Sequence, residues 1–193
     1  MDVPALTAES ALIVAFFSLM CYNHISFKWE MTAMLKGLLS REECAGCRIC
    51  CSFDSYDIWE TPVITRDMVN RILADYKPDQ KFITKEDHFL LRLDKEKDED
   101  LYYCSLLDHS KGCIMGENKP FDCRIWPFRI MKLAGRNVIT LSPVCPVVNK
   151  KPVADIVKKC SEISDVIFEA AREHPEYVKP YMEGYPILLL DRD

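Results

Sequence analysis

The chain has 193 residues, enough for one domain with a sizeable core. A hydrophobic fraction of 49%, a charged fraction of 28% and a net charge of -5 describe an ordinary, slightly acidic globular composition with no whole-protein attraction to nucleic acid or anionic membrane. Ten cysteines are many for this length, yet below the density of a small secreted disulfide scaffold.

Residues 4–39 read as one or two helices, with Leu12, Ala15, Phe16 and Met20 at helical spacing. Met31 and Met34 leave a later natural start open, with residues 1–30 as an extension. The apolar run from Ala11 to Cys21 is too short to span a bilayer. The residues before it carry Asp2 and Glu9 and no Lys or Arg, the wrong charge for the leading region of a signal peptide. The expectation is therefore a cytoplasmic chain with reduced thiols and no membrane span.

Ser40 and Glu43 have capping-box spacing where a cysteine-rich loop begins, which puts that loop on a turn or short helix. Thr65 suits the N-cap of a helix over 66–76, with Met68, Val69, Ile72 and Leu73 as its apolar stripe and Pro78 beyond its end. HFLLRLD (88–94) and LYYCSLL (101–107) read as strands that pair as a hairpin around the solvated turn KEKDED. FRIMKL (128–133) and VITLS (138–142) make a second hairpin around Ala134–Asn137. Pro152 opens a last helix that runs to about Arg172, with Val153, Ile156, Val157, Cys160, Ile163, Val166, Ile167 and Ala170 on one face. Cys160 falls in that stripe and reads as core packing. From His174 the tail has turn residues and a short strand-like apolar run.

With Cys21 and Cys160 set aside, eight cysteines remain: Cys44, Cys47, Cys50, Cys51, Cys104, Cys113, Cys123 and Cys145. The first four follow C-x2-C-x2-C-C. A C-x2-C turn presents two thiolates to one centre, as structural zinc sites use it. A third cysteine at the same interval suits a cluster whose irons each take one thiolate, as in the bacterial ferredoxin pattern. Cys44, Cys47 and Cys50 would supply three ligands, with Cys123 or Cys145 as the fourth. Vicinal side chains seldom serve one small centre, so one of Cys50 and Cys51 faces a second group, which leaves Cys51, Cys104, Cys113 and one further cysteine for another site. Two zinc sites, one zinc and one cluster, or one cluster with supporting thiols satisfy the count.

His109 lies between two cysteine positions and is either an alternate ligand or an exposed turn histidine; His24, His88 and His174 receive no role. Arg48 and Arg124 adjoin cysteines and could offset thiolate charge. The chain has no G-x-G-x-x-G, P-loop or H-E-x-x-H, and its Lys and Arg form no aromatic-basic stripe, which disfavours nucleotide and nucleic-acid binding.

The segments CAGCRICC (44–51), CSLLDHSKGCIM (104–115), KPFDCRIWPF (119–128) and CP (145–146) together resemble the CxxCxxCC family, the YkgJ-like cysteine-cluster proteins described as a zinc- or iron-chelating domain. Leu107-Asp108, Cys123-Arg124 and Pro127-Phe128 match further family positions, while Lys119-Pro120 stands where the family usually has Arg-Pro, keeping the charge and losing the planar fork. The resemblance covers about residues 41–148 and implies metal binding through the eight cysteines, more securely than any activity. A flagellin lysine methylating enzyme resembles the same family and is thought to use an iron-sulfur cluster in methyl transfer, an activity this compact chain does not inherit by default.

The expected fold is α+β: a small cysteine-rich metal-binding domain over 41–148 with short β-hairpins, an N-terminal helical extension over 1–40, and a C-terminal amphipathic helix and tail over 149–193 packing on the domain. The expected function is metal binding, with an iron-sulfur cluster, 4Fe-4S by the ferredoxin analogy, or zinc. The alternatives are an enzyme that uses the cluster for electron or methyl transfer to a protein substrate, and a zinc-stapled protein-interaction module.

Overall fold

The computed structural model describes residues 34–55, 61–95 and 100–192. Leu35–Asp193 form one compact unit. The helices expected over 4–39 lie outside the described residues except for 34–38, which form a turn. Cys21 and residues 96–99 of the charged turn also lie outside them.

The capping box at Ser40 forms as its spacing predicts. The Glu43 amide donates to Ser40 Oγ at 3.1 Å, and the Ser40 amide donates to Glu43 Oε2 at 2.8 Å. These bonds satisfy donors that the first turn of helix α1 (Arg41–Cys47) cannot satisfy itself. Arg48 ends the helix in the left-handed region at φ 57, and a 3₁₀ turn, Ile49–Cys51, leads into strand β1 (Ser52–Phe53). Helix α2 (Arg66–Arg71) starts on Thr65, whose hydroxyl accepts from the Met68 amide, and it continues as a π-helical turn, Ile72–Tyr76.

The hairpin expected from 88–94 and 101–107 is only partly present. Strand β3 (Phe89–Leu91) pairs instead with β2 (Phe82–Thr84). Only β4 (Asp94–Lys95) meets β5 (Tyr102–Tyr103), and β5 lies between β4 and β1 in a three-stranded sheet. The rest of the expected second strand turns inward: Leu106 is buried, and β6 (Leu107–Asp108) folds back on β7 (Gly112–Cys113). Alternation marks these segments as strands but does not name their partners.

Helix α3 (Phe121–Ile125) leads to the second hairpin, β8 (Phe128–Leu133) with β9 (Arg136–Leu141), in the expected pairing. Its two-residue turn places Ala134 at φ 49 and Gly135 at φ 81, the left-handed pair whose twist matches that of the flanking strands. The tail adds β10 (Lys179–Pro180), parallel to β8, and β11 (Ile187–Leu190), antiparallel to β9. The sheet order is β10-β8-β9-β11.

Helix α4 (Val153–Glu173) contacts β8, β9 and β11. Its buried face is Ile156, Cys160, Ile163, Ile167, Phe168 and Ala171. Val153 and Val157, expected on that face, are exposed, although Ile156 between them is buried. Cys160 is fully buried, as core packing requires.

The fold is α+β. One core cluster joins Phe53, Ile64, Val69, Ile72, Leu91, Leu93, Leu106 and Met115, and Cys104 and Cys113 pack on its edge. Among the described residues, no helix is long and apolar enough to cross a membrane.

Candidate metal centre

Helix α1 carries Cys44 and Cys47 one turn apart. The left-handed Arg48 and the 3₁₀ turn then fold the chain back, so that the Cys50 thiol and those of Cys44 and Cys51 influence one another's ionisation. The Cys104 amide donates to the Cys51 carbonyl at 2.8 Å, which fixes the end of β5 beside this loop.

Cys113 arrives through a close packing of β7 on α1. A Cβ built on Gly112 would stand 2.9 Å from Ala45 Cβ and 3.3 Å from Ala45 Cα, and Gly112 has φ +83. Both the space and the backbone therefore require glycine here. Cys123 comes from α3, and Cys145 follows β9.

Burial raises the Cys104, Cys113 and Cys145 thiols above their ordinary value, opposed by the backbone amides of Leu106 at Cys104, of Met115 and Gly116 at Cys113, and of Val148 and Val147 at Cys145. Amides beside sulfur favour the thiolate, the form that binds metal.

Burial and mutual interaction disfavour ionisation of the Cys44, Cys50, Cys104, Cys113 and Cys123 thiols. Burial, then the neighbouring Cys123, Cys113 and Cys50, pushes the Cys104 thiol far up. Burial, then Cys113 and Cys50, does the same to Cys123. Cys44 is raised first by its hydrogen bond with Cys50 and then by burial. At Cys50 the bond with Cys44 lowers the value, but the bond with Cys51 and burial outweigh it, leaving the thiol pushed up to about 12. Burial would lower the Lys119 ammonium, yet the Cys44, Cys123, Cys113 and Cys50 sulfurs together hold it above its ordinary value.

The eight cysteines thus fall into two overlapping groups. Cys44, Cys50, Cys104, Cys113 and Cys123 interact electrostatically about Lys119, with Cys51 attached through Cys50. Cys47 and Cys145 interact with each other, and with Cys44 and Cys50 they line an apolar pocket completed by Leu39, Arg48, Ile49, Trp126, Pro146 and Val147. It is Cys50 of the vicinal pair that faces Cys104 and Cys123.

All nine described cysteines are free thiols. Among the described residues, no three His, Cys, Asp or Glu side chains form a group ready to hold a metal ion. Eight soft sulfur donors fit zinc or an iron-sulfur cluster by their chemistry.

Arg124 lies over the Phe121 ring at 6.0 Å and is influenced by Tyr177 and Arg71 as well as Cys123. His109 is exposed, in edge contact with the Tyr103 ring at 5.3 Å. Sequence reasoning noticed Lys119 only as a departure from a family pattern, and it missed Gly112, for which the signal was a glycine directly before a motif cysteine. No family model, curated protein or solved structure matches the chain.

Proposed function

We propose that the chain is a cytosolic metal-binding protein of the CxxCxxCC kind, holding an iron-sulfur cluster through its motif cysteines. The observation that carries this reading is the gathering of cysteines from separate stretches of chain around Lys119 and one pocket. Disulfide chemistry would join such thiols in pairs; here all nine described cysteines are free.

Cys44, Cys47 and Cys50 with Cys145 make the pocket-side ligand set, and Cys104, Cys113 and Cys123, which interact with Cys50, make the second site or its support, with Cys51 beside Cys50. A zinc ion needs four sulfurs crowded at about 2.3 Å from one atom. A cluster such as 4Fe-4S takes one thiolate per iron over a wider shell, which better suits the repeated C-x2-C interval of Cys44, Cys47 and Cys50. When bound, the cluster supplies a one-electron couple. The amides and Lys119 would balance its negative charge, and Leu39, Ile49, Trp126 and Val147 would limit water at the pocket. Anaerobic purification followed by iron, zinc and sulfide analysis tests the reading: iron with matching sulfide supports it, and a colourless protein with stoichiometric zinc sinks the cluster version.

The pocket also favours a second reading, an enzyme that uses the centre for electron or methyl transfer to a protein substrate. Binding of S-adenosylmethionine to the metal-loaded chain would support methyl transfer, and absence of binding would remove it.

A further inference from the structure

Residues 150–159 read KKPVADIVKK, two lysine pairs bracketing two valines. In a chain of net charge -5, this segment carries four lysines and one carboxylate, Asp155. It spans the end of a 3₁₀ turn, Val148–Lys150, and the first two turns of α4. The helix buries Ile156 and Cys160 here. Beside that stripe Val153 is 72% exposed and Val157, one turn on, is 37% exposed. A surface helix ordinarily carries polar side chains outside its buried stripe; here two valines lie outside it, with exposed Lys150 before them and exposed Lys158 after.

Lys151 pairs with Glu43, and Lys159 with Glu162. With those partners counted, four ammonium groups face three carboxylates, so the segment stays positive on a chain that is negative as a whole. The face also adjoins the metal centre. Lys151 reaches Glu43, directly before Cys44, at 3.4 Å, and the Asn149 amide donates to the Cys145 carbonyl at 3.0 Å. Both cysteines belong to the pocket-side group.

We propose that Val153 and Val157, with Lys150 and Lys158, form the docking face for an acidic one-electron carrier protein that reduces the cysteine-held centre. The proposal rests on the iron-sulfur reading above. Protein interfaces set an apolar middle inside a polar rim, and opposite charge on the two partners raises the rate of encounter. Charge selects the partner: a basic contact surface would meet the lysines as like charges, whereas carboxylates around an apolar patch match them. A membrane is the poorer match, because α4 is held by its buried face and two valines without an aromatic side chain give little to insert. In the step itself one electron leaves the reduced carrier and enters the centre. The carrier is oxidised, the centre is reduced, no bond is made or broken and no proton moves.

The test is anaerobic rapid mixing of the oxidised, metal-loaded full chain with a reduced ferredoxin of acidic surface. Electron transfer is followed by freeze-quench electron paramagnetic resonance of both centres, with iron and sulfide measured on every sample. The wild-type rate is expected to saturate with carrier concentration and to fall as salt is added. Lys150→Glu/Lys158→Glu is expected to slow it about tenfold and Val153→Ser/Val157→Ser several-fold, while reduction by dithionite alone changes little in either. A carrier rate indifferent to salt and to both double variants overturns the proposal. So does equal slowing of the dithionite reaction, which marks damage to the centre, and so does the absence of transfer to a wild type that dithionite reduces. If Lys150→Glu/Lys158→Glu loses iron, the valine variant decides: selective slowing with the carrier supports the face, and no slowing overturns it. Co-sedimentation of the wild type with phosphatidylserine vesicles, lost in the lysine variant, would assign the face to a membrane and overturn the proposal. Should the wild type contain zinc or no metal, its composition alone refutes the iron-sulfur reading before any mixing, and the proposal falls with it.

Discussion

Replacing Gly112 by Ala tests whether the approach of β7 to α1 assembles the cysteine centre. The new Cβ would lie 2.9 Å from Ala45 Cβ, nearer than carbon atoms pack, and Ala45 is a short helical side chain that cannot swing aside. Two costs add. Holding a residue with a side chain at φ +83 costs about 1–2 kcal/mol, and forcing an extra methyl into a filled contact costs about 1–3 kcal/mol. The expected loss is about 2–5 kcal/mol, a large part of a typical domain's stability of about 5–15 kcal/mol. Gly135 supplies the control: it has φ +81 but nothing within 4 Å of its Cβ position, so Gly135→Ala carries the backbone cost alone. Urea unfolding of the two variants separates the terms. Gly112→Ala is expected to unfold at clearly lower urea than Gly135→Ala and to retain less metal, because separating β7 from α1 moves Cys113 away from Cys44. Equal midpoints and full metal content in both variants would refute the close-approach argument.

Three further outcomes are expected. Ser40→Ala removes the hydroxyl that accepts from the Glu43 amide and should cost about 1 kcal/mol, read as a lower urea midpoint; no change would mean that the capping box contributes nothing. Cys160→Ala is expected to cost roughly 1–2 kcal/mol for a buried side chain while leaving the metal-to-protein ratio intact, since Cys160 is fully buried in the α4 face; loss of metal would place it among the ligands. The Asp108 carboxyl is held down to about 2 by the Ser110 hydroxyl, then by the Ser110 and Lys111 amides. A depressed carboxyl contributes stability that is present above its ordinary value of 3.8 and is lost as the pH falls through about 2. A side-chain carbon NMR titration should give a midpoint near 2, and Asp108→Asn should remove this acid-limb loss; a midpoint near 3.8 would contradict the hydrogen-bond pattern at the β6–β7 turn.

What could be read from the sequence was mostly local. Ser40 with Glu43 and Thr65 with Met68 each complete their interaction within a few residues, so spacing alone determines them; the turn read over 134–137 was rightly located but is tighter, because Arg136 and Asn137 already pair with Leu133 and Lys132. The 88–107 stretch was misread because the partners of β3 and β5 include β2 and β1, and period-two alternation carries no address. The cysteines were legible as donors from type and interval. Their grouping was not, because it follows from contacts such as Gly112 meeting Ala45, a consequence of tertiary packing. Val153 and Val157 show the opposite error: both were assigned to the apolar face by helical spacing, yet only Ile156 between them is buried.

Native mass spectrometry of the anaerobically isolated full chain addresses the central claim most directly, since it counts the atoms held per folded molecule. The account expects a mass increment of iron and sulfide in cluster proportion, lost when Cys44, Cys47 and Cys50 are replaced by Ser and retained in Cys160→Ala. The bare chain mass, or an increment of zinc alone, would contradict it.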